Sequence, residues 1–87
     1  MTVNIRGMRR PSFVVTAAGL NGTGGVPVGG VLKSDIIENV RNIVTGASAS
    51  ASFETVATVN GEVQQSSASN LSGNEYDFII TPVGVNT

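Results

Sequence analysis

Hydrophobic and polar residues follow a strand-like order in two stretches of the chain and a helix-like order in a third. Residues 12–18 (SFVVTAA) read as a strand, because Phe13, Val14, Val15 and Thr16 all favour a pleated, half-buried surface. Residues 75–85 (EYDFIITPVGV) form the densest apolar run, with Tyr76, Phe78 and Ile80 on one face and Glu75, Asp77 and Ile79 on the other. This predicts the best-buried strand of the fold. Pro82 lacks an N–H and either ends that strand or places it at an edge.

The stretch 34–46 carries a different period. Ile36, Ile37, Val40, Ile43 and Val44 fall at i, i+3, i+4 and i+7 spacings, while Glu38, Asn39, Arg41 and Asn42 take the other side. The spacing predicts a helix of roughly three turns. Asp35 stands as its N-cap with Glu38 three residues on, and Gly46 as its left-handed C-cap. The five β-branched residues oppose this reading, so packing has to hold the helix, and a strand is the alternative.

Between the helix and the last strand, Asn60-Gly61 separates two strand-like runs, 47–59 and 62–69. Asn-Gly predicts a two-residue type I′ turn with positive φ at both positions. The register then pairs Val59 with Glu62, Thr58 with Val63, Val56 with Gln65 and Phe53 with Ala68. Neither face of this hairpin is cleanly apolar, which predicts light contact on both sides. Residues 70–74 read as a turn, residues 2–5 as a short extended stretch and residues 6–11 as a turn or arm.

Six glycines and Pro27 within residues 19–30 argue against a helix or a central strand there. The expected fold is therefore mainly β, a small sheet domain with one short α-helix and an extended Gly-rich N-terminal arm. Residues 1–33 form the basic arm and residues 34–87 a small helix-plus-β-hairpin domain.

Composition narrows the chemistry. Eighty-seven residues make one small domain, and the chain has neither Cys nor His. Disulfides, thiolate catalysis and a structural zinc site are thereby removed. No catalytic, cofactor-binding or metal site is expected, and the chain reads as a non-enzyme. Gly29-Gly30-Val31-Leu32-Lys33-Ser34 departs from a phosphate loop at Leu32, where a glycine is needed. Lys33 and Ser34 are adjacent and point apart, which suits neither a base nor its nucleophile. Glu75 and Asp77 share a strand face, with nothing to mark a sugar cleft. Asn21-Gly22-Thr23 and Asn70-Leu71-Ser72 match the glycosylation sequon, which matters only after export. No apolar run reaches membrane-spanning length, and no long apolar segment follows the N-terminal arginines, so neither a membrane span nor a signal peptide is expected.

Charge is uneven although the net value is only −1. Arg6, Arg9, Arg10 and Lys33 meet no acid before Asp35, whereas the remainder holds six acids against Arg41. A core this small, with charged residues at only 13%, is expected to need association, either with its own copies or with a larger scaffold. The expected interface is the arm: Arg6, Arg9 and Arg10 against carboxylates of a neighbour, with Phe13, Val26 and Val28 buried in the contact. The rival reading sends the same arginines to nucleic-acid phosphates. The expected function is a structural assembly subunit, such as a capsid, cement or decoration protein, or a minor tail component of a virus or phage. Its location is then the virion, made in the host cytoplasm, with the cytoplasm itself as the alternative. A small non-catalytic protein-binding or inhibitor module is the second reading.

Overall fold

The computed structural model describes residues 11–83, through which five strands run. They are β1 (Phe13–Ala18), β2 (Gly24–Pro27), β3 (Ile36–Asn42), β4 (Glu62–Gln65) and β5 (Glu75–Thr81), with a 3-10 turn at Ser50–Ser52. The fold is mainly β, built as two small antiparallel sheets, one ordered β1-β5-β3 and the other β2-β4. The strongest alternation in the sequence belongs to β5, and β5 takes the centre of the larger sheet. It ends at Thr81, immediately before the buried Pro82.

Tyr76, Phe78 and Ile80 project to the inner face of that sheet, beside Ile37 and Val40 of β3. Phe13, Val15 and Ala17 of β1 join them, partly buried. The smaller sheet and its loops close the core with Val26, Val28, Val31, Phe53, Ala57 and Val63. Phe53 sets its ring edge-on to Tyr76 and Phe78, with centroids 5.5 Å and 5.0 Å apart. Such pairs add about 0.5–1.5 kcal/mol to the burial itself. Among the described residues, valine supplies five of the eleven buried hydrophobic residues. The core is thus made of compact, stiff side chains that suit strands rather than helices.

The expected helix at 34–46 is a strand. β3 carries a β-bulge at Glu38: Ile37 pairs with Ile80 and Asn39 with Ile79, so the extra residue is left over. Ile37 and Val40 both face the core although they are three positions apart, and the bulge therefore imitates a helical interval. Asp35 caps no helix. Its buried carboxylate accepts the Leu32 N–H at 2.9 Å and holds the turn leading into β3. Gly46 does take a left-handed φ of 75°, in the turn that follows β3 rather than at a helix end.

The boundary expected at residue 33 is also absent. Described residues 11–33 are not an appended arm: β1 pairs with β5 along its whole length, and β2 pairs with β4. The Asn60-Gly61 turn forms where expected, with Val59 opposite Glu62. Only Gly61 has positive φ (80°), so the turn is not type I′. Beyond that pair the register departs from expectation, since Phe53 pairs with Gln65 and not with Ala68. The intervening segment leaves its hairpin partner to bond β3, with Ile37 N–H donating to the Thr55 carbonyl and Ala57 N–H to that of Asp35.

Candidate interaction surface

The inner face of the larger sheet is filled; the outer face is open. Side-chain alternation and register place its residues in rows across the strands. One row runs Val56, Ile36, Thr81 and Ser12, the next Asn39, Ile79 and Val14, the next Arg41, Asp77 and Thr16. The apolar members, Val56, Ile36, Ile79 and Val14, form an oblique strip over four neighbouring segments. Val14 is 57% exposed and Val56 47%, with Ile36 and Ile79 half-buried by their neighbours. A polar row borders the strip, in which the Thr16 hydroxyl donates to Asp77 and Arg41 stands opposite Asp77 in the register.

The edges of the sheets differ. On the outer side of β3, Ala49 N–H donates to the Val40 carbonyl (2.6 Å) and Asn42 N–H to that of Ala47 (2.9 Å), and the 55–57 segment covers the rest. Ser50 Oγ accepts the Val40 N–H at 3.1 Å. The outward positions of β2 are Gly25 and Pro27, because Val28 N–H bonds Gly61 and sets the alternation. Pro27 has no N–H to offer there. Among the described residues β1 has neither kind of protection. Gly19 N–H donates to the Asn74 carbonyl in continuation of the β1–β5 register. Residues 13, 15 and 17 therefore turn their main chain toward β5, and Val14, Thr16 and Ala18 turn theirs outward. Among the described residues no strand lies beyond β1.

Sequence reasoning placed the interface elsewhere. Val26 and Val28 are wholly buried in the chain's own core, so they serve folding and offer no contact surface. Phe13 lies partly buried against the same core. Arg6, Arg9 and Arg10 lie outside the described residues. Asn21 and Asn70, the two sequon residues, pair with each other through an isolated bridge. Glu75 and Asp77 lie on the outer sheet face, as the alternation required, and Asp77 is engaged by Thr16. The strip itself was not anticipated, although its signal was present: Val14 and Ile79 are apolar residues at the outward positions of strands that also have a full apolar face.

Among the described residues, no three acidic side chains gather into a metal-binding group, and no helix is long and apolar enough to cross a membrane. Comparison with protein-family models, curated proteins and solved structures finds no match to this chain.

Proposed function

We propose that this protein is a small non-catalytic protein-binding module whose working surface is the open face of the β1-β5-β3 sheet. The observation that supports this reading is the strip Val14, Ile79, Ile36 and Val56, which runs over a sheet face on which the described residues place no second layer. Contiguous exposed apolar surface bordered by polar groups is the usual mark of a contact site. Arg41 and Asp77 at its rim supply orientation, while the strip supplies the area removed from water. Lys33 and Arg41 are the only cations among the described residues, and Arg41 faces Asp77. That arrangement favours a protein partner over phosphates. An assembly subunit, including the coat, cement or tail component expected from composition, would use this same face repeatedly.

Selection of a random peptide display library on the immobilised chain tests the proposal. Apolar peptides are expected to enrich, and Val56→Asp is expected to abolish their binding while leaving the far-ultraviolet circular dichroism unchanged. Enriched peptides indifferent to Val56→Asp would refute the assignment of this face.

A further inference from the structure

We propose that β1 pairs antiparallel with the β1 of a second copy of this chain, about a two-fold axis through Thr16. The proposal rests on the binding-module reading and gives that module a partner. It starts from the one strand edge that the described residues leave bare. The outward main-chain groups of Val14, Thr16 and Ala18 form a short ladder able to accept another strand, and β1 carries no charge, proline or bulge to discourage one.

The order of side chains in β1 favours its own copy. Bulky residues occupy the first half, Val14 and Val15, and small ones the second, Ala17 and Ala18. Rotation about Thr16 sets Val14 opposite Ala18 and Val15 opposite Ala17 in both directions, and Thr16 opposite Thr16. Every large side chain thus meets a small one, and the central pair is one that stabilises sheets. Charges also agree. The row through the axis reads Arg41, Asp77, Thr16, then Thr16, Asp77, Arg41 of the second copy. The two Asp77 residues are three strand spacings apart, about 14 Å, which exceeds the screening length at physiological salt. The Val14 end of each strip then lies beside Ala18 of the other copy, with the polar row through the axis between the two strips. A six-residue strand is only about 20 Å long. The contact therefore belongs to the small, weak class of interfaces, with dissociation constants of about 10 μM to about 1 mM.

The absence of cysteine makes the register directly testable in the full chain. Paired residues in this geometry have Cα atoms about 5.5 Å apart, within disulfide range. Thr16→Cys is expected to yield a disulfide-linked dimer on mild oxidation. Val14→Cys and Ala18→Cys should link poorly alone and well when mixed. In sedimentation equilibrium, the parent chain should dimerise with rising concentration. Thr16→Lys should raise the dissociation constant roughly tenfold or more, and Thr16→Val should not. Three results would overturn the pairing. One is a monomer at about 1 mM, whatever the state of its outward β1 amides; their protection from exchange would mean that the chain covers its own edge. Another is a dimer indifferent to Thr16→Lys, and the third is a Val14→Cys homodimer formed in preference. Peptide binding that survives while dimerisation fails would remove the pairing and leave the binding-module reading intact.

Discussion

The side-chain amide of Gln65 bonds the backbone of Leu20 as a neighbouring strand would: Oε1 accepts the Leu20 N–H at 2.8 Å, and Nε2 donates to the Leu20 carbonyl at 3.2 Å. The same nitrogen is shared with the carbonyls of Ser67 (3.0 Å) and Ser69 (3.1 Å). Gln65 is 2% exposed, so its own amide has no water to turn to. One amide thereby ties the end of β4 to the loop after β1 and to its own succeeding turn.

Gln65→Leu keeps the volume and removes every one of these bonds. It is expected to cost about 1–3 kcal/mol, because the half-buried Leu20 N–H loses its acceptor and the Leu20 carbonyl keeps only the Leu71 N–H. Gln65→Glu should also destabilise, since it replaces the donor facing three carbonyls with an acceptor. Urea unfolding of both variants checks this, and a loss below about 0.5 kcal/mol for Gln65→Leu would show that the amide is dispensable.

Val40 and Val44 separate the strand from the helix reading. A helix puts both on one apolar stripe; β3 buries Val40 completely, and Val44 lies beyond its end at 79% exposure. Val40→Ala is expected to cost about 2 kcal/mol and Val44→Ala almost nothing. Equal losses would support a helix.

Gly61 has φ of 80° with open space where a Cβ would stand, so its substitution tests backbone strain alone. Gly61→Val is expected to cost about 1–2 kcal/mol and Gly61→Asn less, by thermal or urea unfolding. Asn60 contributes differently: its Oδ1 accepts the Lys33 N–H at 2.8 Å. Asn60→Ala should therefore lose about 1 kcal/mol through a missing hydrogen bond.

Two other glycines differ in what they approach. A Cβ on Gly19 would lie 2.6 Å from Leu71 Cβ and 2.7 Å from the Leu71 carbonyl oxygen. One on Gly25 would meet the side-chain ends of Glu62 and Gln64, which can swing away. Gly19→Ala is expected to destabilise by about 1–3 kcal/mol and Gly25→Ala by clearly less. The reverse order would show that the strand and turn backbones yield more readily than these polar side chains.

The legible part of this fold was the part with clean period two. β1 lies within a residue of where alternation put it, and β5 begins at Glu75 as expected but ends at Thr81, before Pro82, where the apolar run was read on to residue 85. β3 was obscured by a single residue. The bulge at Glu38 inserts one position between Ile37 and Val40, and a two-residue repeat becomes a three-residue one. The β-branched content of the segment carried the better signal, because stiff side chains favour a sheet whatever their spacing. β2 was hidden for another reason. Four residues, two of them glycine, are held by pairing with β4 and by the burial of Val26, and both are long-range effects. The interaction strip required knowledge of which strands adjoin. Val56 reaches Ile36 only because the 55–57 segment leaves its hairpin partner.

The covering of β3 by residues 47–49 and 55–57 has a consequence for behaviour at high concentration. A flat sheet with two available sides can add copies at both and lengthen without limit, as cross-β fibres do. Here one side is occupied by the chain itself, and β2 offers a proline. Growth through β1 would be self-limiting, a closed pair in place of a filament. Stripping that cover, for instance by shortening the 47–57 connection, would open a second growing end. Pairing through β1, as proposed, would then no longer close, and copies would add in series as in fibrils.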